Sequence, residues 1–240
     1  MVYRNHSSRL GMQRTPRRSL KERIARWQGT TTLLVLTSIV SVVMFIVWIV
    51  QPESIAWSAL QPASIVQGKA LWTLVTHMFV HGGPLHLIVN MMVLLSLGVL
   101  CERLIGKQRF LWLYVLSGVG AGLLSVLAAW LWGGGRGAAV VGSPEDFMVG
   151  ASGAIFAFAG VLMVLLPRLR FSIIFLPFFS LPAYIMVPAV LLVTWVLSII
   201  AGWNIGNVAH MGGFVVGAAY GAYLRLKYRR KVRLLEKYFT

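Results

Sequence analysis

TTTLLVLTSIVSVVMFIVWIV, residues 30–50, is an unbroken apolar run without one charged side chain. As a helix rising about 1.5 Å per residue it reaches across a hydrocarbon core of about 30 Å, so the run predicts a transmembrane helix. The rest of the sequence suits a chain whose main solvent is lipid. Of its 240 residues 58% are hydrophobic and 12% charged, against about 25% charged in ordinary soluble domains. A basic segment precedes the run, as in a signal peptide. The run is long, however, and lacks a small-residue cleavage site, which predicts an uncleaved first span in a mature chain. Cys101 is the single cysteine, which excludes an internal disulfide framework and reads as a packing residue.

Five more spans are expected beyond this one. Residues 51–83 hold one acid, Glu53, and one base, Lys69, with Trp57, Trp72 and Phe79 among them. They are expected to lie in the membrane interface, where aromatic rings are favoured. Pro84 suits the first turn of a helix, and the second span is read from there to Cys101, ended by Glu102 and Arg103. The third covers 110–132 and stops at the glycine run 133–135. The fourth starts near Phe147 and continues to Leu166, halted by Pro167 and Arg168. Residues 171–224 carry no charge except what His210 can take up, and must hold two spans. Pro177, Pro182 and Pro188 argue against a regular helix over 171–181. The fifth span is therefore placed at 183–202 and the sixth at 206–224, with a non-helical interfacial approach before the fifth.

Basic residues favour cytoplasmic loops near span ends. Eight lie between Arg4 and Arg26, three between Arg103 and Arg109, two at Arg168 and Arg170, and seven between Arg225 and Lys237. The connections of opposite parity hold only Lys69 and Arg136. The expectation is an all-α membrane protein, a bundle of six transmembrane helices with N-in and C-in topology. It has a basic cytoplasmic arm (1–29), a membrane domain (30–224) and a basic cytoplasmic tail (225–240). The excess of 22 basic over 6 acidic residues then reads as an orientation signal and a contact with anionic lipid, rather than as nucleic-acid binding.

Polar residues are costly inside a membrane and are usually partnered or functional. His86 and Asn90 in the second span, Ser152 in the fourth and His210 in the sixth stand out. Counted from the outer helix ends they fall at depths of about 3 to 9 Å. His86 and Asn90, four apart, share a helix face. A serine and a histidine at one depth can serve as nucleophile and general base in acyl transfer. Glu102 lies at the opposite membrane face and Glu145 and Asp146 precede the fourth helix, so a dyad is the economical arrangement. The Ser152 N–H near a helix N-terminus, with the His86 and Asn90 side chains, are candidate oxyanion donors. Each residue also has a plainer reading. Ser152 can be a small packing residue, His210 and Asn90 can simply bond neighbouring helices, and Gly213 with Gly217 is a GxxxG step that is structural in any case. Joint placement favours the hydrolase. The spacing of His77, His81 and His86 invites zinc, but no cysteine or acid completes a ligand set, so no metal or cofactor is expected.

Gly150-Ala151-Ser152-Gly153-Ala154 opens the fourth span, Ala209-His210 is followed by Gly213 and Gly217 in the sixth, and His86 is followed by Asn90 in the second. Together, over about residues 72–223, these motifs resemble the rhomboid intramembrane serine proteases. The resemblance implies a rhomboid-like bundle with Ser152 as nucleophile and His210 as general base. His86, Asn90 and the Ser152 N–H would stabilise the oxyanion, supported by Gly150, Gly153, Phe156, Ala209, Gly213 and Gly217. His81 corresponds to a histidine without a settled role. The implied reaction is hydrolysis of peptide bonds in or next to transmembrane segments of membrane-protein substrates, near the outer face. The partners are then those substrates and membrane lipids, without nucleic acid. Two departures stand out: Trp72-Thr73 replaces a frequent Trp-Arg pair, and Phe156 replaces a frequent Tyr, keeping the ring without the hydroxyl. Substrate entry is expected by the fifth span and the connection from Trp203 to Gly206. The alternative is a non-catalytic rhomboid-like binder of transmembrane clients, whose function would survive loss of Ser152. A transporter is disfavoured by the lack of inverted repeats and intramembrane carboxylates. The expected location is integral and multi-pass, in the plasma membrane if the source is prokaryotic.

Overall fold

Long apolar runs become helices in the computed structural model, which describes residues 28–173, 176–202 and 206–239. The helix α1 (Gly29–Val50) is followed by short helices α2 (Ile55–Ser58), α3 (Pro62–Val66) and α4 (Thr73–Thr76). Then come α5 (Pro84–Ile105), α6 (Lys107–Trp132), the short α7 (Ala138–Val141) and α8 (Ser152–Leu165). Strands β1 (Arg170–Ile173) and β2 (Leu176–Pro182) lead to α9 (Ala183–Ala201), α10 (Asn207–Lys227) and α11 (Arg229–Phe239). The basic arm up to residue 27, and Trp203 in the expected entry connection, lie outside the described residues.

By length and composition α1, α5, α6 and α9 can cross a membrane. The helix α8 is equally apolar but has 14 residues, about 21 Å at 1.5 Å per residue. The helix α10 has 21 residues and is interrupted by glycines and by Arg225 and Lys227.

Two sequence expectations need correction. The protein is not all-α: residues 170–182 form an antiparallel hairpin in which Arg170 pairs with Pro182 and Phe171 with Leu181. The fourth helix starts at Ser152 rather than near Phe147. What stops it earlier is tertiary: Leu60 and Met148 exchange N–H···O bonds of 2.9 and 2.7 Å, and the Gly150 N–H donates to the His77 carbonyl at 2.9 Å. Pro188 sits within α9, inside the bounds expected for the fifth span.

The connection between α1 and α5 folds onto α6, which presents it with small residues. A Cβ at Gly118 would overlap Met78 Sδ, and one at Gly122 would lie 3.0 Å from Leu60 Cδ1. The Tyr114 hydroxyl donates to the Met78 carbonyl at 3.2 Å. At the centre, α8 buries Ala157, Phe158, Val161 and Leu162 and meets α10 closely at glycines. A Cβ at Gly213 would overlap the Gly153 carbonyl oxygen, and one at Gly217 that of Ala157.

First-turn N–H groups of a helix have no intrahelical acceptor, and α1 finds one on α5. Glu102 Oε1 accepts the Gly29 N–H at 2.6 Å, and Oε2 accepts the Thr30 N–H at 2.8 Å and the Thr30 hydroxyl at 2.7 Å. A carboxylate there also complements the helix dipole. Glu102→Ala removes both acceptor oxygens from three buried donors and is expected to destabilise the protein by about 3 kcal/mol. Thr30→Ala, which loses one bond, should cost about a third of that. Thermal unfolding of the two variants in detergent checks the order.

Candidate active site

Ser152 is the first residue of α8. The Gly150-Ala151 turn before it is forced by φ +121° at Gly150, a conformation that glycine adopts without strain. Ala151 occupies the N-cap with no side-chain hydrogen bond. The N-terminus of α8 therefore keeps free donors where a developing anion could sit.

His210 lies near the start of α10, buried. Its Nε2 is 2.7 Å from Ser152 Oγ, the distance of a well-formed hydrogen bond. The Phe156 ring stacks on the imidazole with centroids 4.6 Å apart and planes at 28°. Among the described residues, His210 Nδ1 has no hydrogen-bond partner, so no carboxylate orients the ring from behind. Its placement rests on the stacking with Phe156 and on the close α8–α10 contact. Gly153 is part of that contact: a Cβ there would lie 3.0 Å from Ala121 Cβ and 3.5 Å from the Ala209 carbonyl oxygen.

His86 projects from the first turn of α5 over Gly150. A Cβ on Gly150 would lie 2.9 Å from His86 Cε1, 3.0 Å from Nε2 and 3.8 Å from Ser152 Oγ. The Gly82 N–H approaches His86 Nδ1 at a long 3.4 Å. That contact favours the tautomer with the proton on Nε2, which points the donor toward the Gly150–Ser152 turn. Asn90 is arranged differently: its Nδ2 donates to the His86 carbonyl at 2.9 Å, back onto its own helix. The structure thus brings Ser152, His210 and His86 together. Asn90 is held beneath His86 with its amide turned away.

His77, His81 and His86 do not converge as metal ligands. His77 Nδ1 donates to the Thr73 carbonyl at 2.7 Å, and the ring faces Gly122 of α6. His81 uses Nδ1 on Ser41 and Nε2 on the Ala151 N–H. Thr73, at the position of the frequent arginine, is buried, and its hydroxyl donates to the Ala70 carbonyl at 2.7 Å. The sequence reading missed Ser41 and the carbonyl of His77. A hydroxyl in the middle of residues 30–50 was the available signal, because it too is costly to bury unpartnered.

A serine hydroxyl bonded to a neutral imidazole, next to free N–H groups, can attack a carbonyl, hand its proton to the ring and offer donors to the resulting oxyanion. Comparison with known proteins gives the family. A family model of the rhomboid domain matches residues 68–227. RHOMBOID-like protein 4 of Arabidopsis thaliana is 32% identical over 165 residues, covering 68% of this chain and 36% of that protein. Rhomboid protease AarA of Providencia stuartii is 29% identical over 178 residues, covering 67% of this chain and 59% of that one. The chain spans less than two thirds of the length of these relatives. The extent of the domain match and the apolar spans around it establish that this integral membrane chain belongs to the rhomboid family.

Proposed function

We propose that the protein is an intramembrane serine endopeptidase acting on transmembrane segments of other membrane proteins through a Ser152–His210 dyad. The observation that carries this reading is the 2.7 Å contact between Ser152 Oγ and His210 Nε2 at the uncapped N-terminus of α8. Ser152 Oγ attacks the scissile carbonyl while its proton passes to His210 Nε2. The carbonyl oxygen, now carrying the negative charge, faces the Ser152 N–H and His86 Nε2–H; Asn90 joins them if its amide rotates off the His86 carbonyl. As the tetrahedral intermediate collapses, the C–N bond breaks and His210 gives its proton to the leaving amine. Water then repeats the sequence on the acyl ester, with His210 taking its proton, and releases the carboxylate product with Ser152 restored. No metal or nucleotide enters this scheme.

The same reading keeps six spans, with α8 and α10 as the fourth and sixth. Both termini stay in the cytoplasm, where the basic arm (1–29) and tail (225–240) meet anionic lipid. The site then opens toward the outer face. In a prokaryote that membrane is the plasma membrane.

An activity-based probe tests the reading without a known substrate. A fluorophosphonate added to purified protein in lipid is expected to label Ser152 alone, mapped by mass spectrometry. Labelling of the His210→Ala variant should be about 10²-fold slower or worse, because the hydroxyl loses its base. Absence of label on the wild type, together with no cleavage of several transmembrane substrates, would favour the client-binding alternative.

A further inference from the structure

His81 is completely buried, between α1 and the turn that leads into α8, and both ring nitrogens are engaged. The Ala151 N–H approaches Nε2 at 3.4 Å, Nδ1 lies 2.9 Å from Ser41 Oγ, and that hydroxyl lies 3.0 Å from the Phe79 carbonyl oxygen. A backbone N–H can only donate, so Nε2 carries no proton. The ring proton is then on Nδ1 and donates to Ser41 Oγ, which leaves the hydroxyl proton for the Phe79 carbonyl. This one assignment satisfies all three contacts. The opposite tautomer would set N–H against N–H at Ala151. Burial, with a smaller effect from the neighbouring His86, draws the imidazole down from 6.5 to about 3, so the neutral form persists at physiological pH. The His86 ring stands edge-on to it at 5.0 Å.

Successive amides of the turn are thereby sorted. The Gly150 N–H goes to the His77 carbonyl at 2.9 Å and the Ala151 N–H to His81 Nε2. Ser152 is next, at the first helical position, where an N–H has no intrahelical acceptor. Ala151 has no side chain with which to cap, so the acceptor is supplied from the residue 77–82 segment, itself tied to α1 through Ser41. We propose that neutral His81, with its proton on Nδ1, is a positioning residue that couples Ser41 of α1 to the Ala151 amide and so aims the adjacent Ser152 N–H at the reacting carbonyl oxygen. The kinetic consequence rests on the protease reading; the hydrogen-bond pattern does not.

The test has two arms on the full chain in lipid. With ¹⁵N-labelled histidine, His81 is expected to show a protonated Nδ1 and a bare Nε2 near neutral pH; a proton on Nε2 overturns the proposal whether or not the protein cleaves anything. In the kinetic arm, His81→Ala is expected to lower kcat about 10²-fold, the scale of a misplaced reacting group, with little change in KM and a parallel slowing of fluorophosphonate labelling. His81→Gln, whose side-chain carbonyl can accept the Ala151 N–H, should recover most of the rate. Ser41→Ala should act in the same direction and add nothing in the double variant with His81→Ala. A His81→Ala protein with lower melting temperature but intact kcat, or a glutamine variant no better than alanine, overturns the positioning role. If the wild type neither cleaves nor labels, the protease reading fails, and the tautomer measurement alone then decides for or against His81.

Discussion

Ser152→Ala is expected to lower kcat/KM for cleavage of a transmembrane substrate by about 10⁴-fold or more, and His210→Ala by a similar factor. Each factor of ten is about 1.36 kcal/mol of transition-state stabilisation, so either change removes about 5 kcal/mol. The reason lies in the 2.7 Å contact between Ser152 Oγ and His210 Nε2. Without the hydroxyl there is no atom to form the acyl ester, and without the imidazole the hydroxyl keeps its proton. Because the two act as one unit, the double variant should be little worse than either single one. The close α8–α10 approach is made at Gly153, Gly213 and Gly217 rather than at these two side chains, so the variants should still fold. The check is cleavage in proteoliposomes with melting curves on the same preparations. Retained cleavage by the serine variant would show that another nucleophile acts.

Gly213→Ala is the second large effect, and it reaches the dyad through the backbone. Gly213 lies three residues after His210 on α10, where an added Cβ would overlap the Gly153 carbonyl oxygen, one residue after Ser152. The helices must separate to admit the methyl, at a cost of about 2–3 kcal/mol of stability. Separation at this level lengthens the path from Ser152 to His210, so kcat should fall about 10²-fold in the variant that still folds. Gly217→Ala makes the same kind of overlap with the Ala157 carbonyl but about two turns from His210. It should destabilise comparably and slow cleavage less. Melting temperature and kcat measured on both variants separate the two contributions, and equal kcat losses would argue that the dyad senses global loosening only.

Much of this architecture is legible in the sequence, and the missing parts share a physical cause. Charge-free runs such as residues 30–50 announce helices because their solvent is lipid, and Pro177 and Pro182 exclude a helix over 171–181 by local stereochemistry. The pairing of those residues into a hairpin is not local, since proline forbids one structure without selecting another. The start of α8 was missed for the same reason. Residues 147–151 are apolar or small and read as more helix. What turns them into an extended segment is Met148 pairing with Leu60, far away in sequence.

At the site, the reckoning of depth set Ser152, His210 and His86 at one level, and they do lie together. It could not foresee that Asn90, at that level too, would donate to the His86 carbonyl. Glu102 was read as a boundary marker of the second span, yet it is the acceptor that caps α1. Ser41 passed unnoticed because single hydroxyls are tolerated in apolar helices. Its importance comes from His81, 40 residues on.

The direct meeting of α8 and α10 also governs how the site responds to temperature. Over the turns that carry Ser152 and His210, the gap between helices is filled by a carbonyl oxygen against an α-carbon. Backbone contact fixes how far apart the helices stand there, and the rotamers of Ser152, His210 and Phe156 move on that frame. At Gly153 and Gly213 the separation of the two helices is set by contact of backbone atoms. Heating should therefore leave the spacing of the Ser152 and His210 backbones almost unchanged up to the point where the helix pair comes apart.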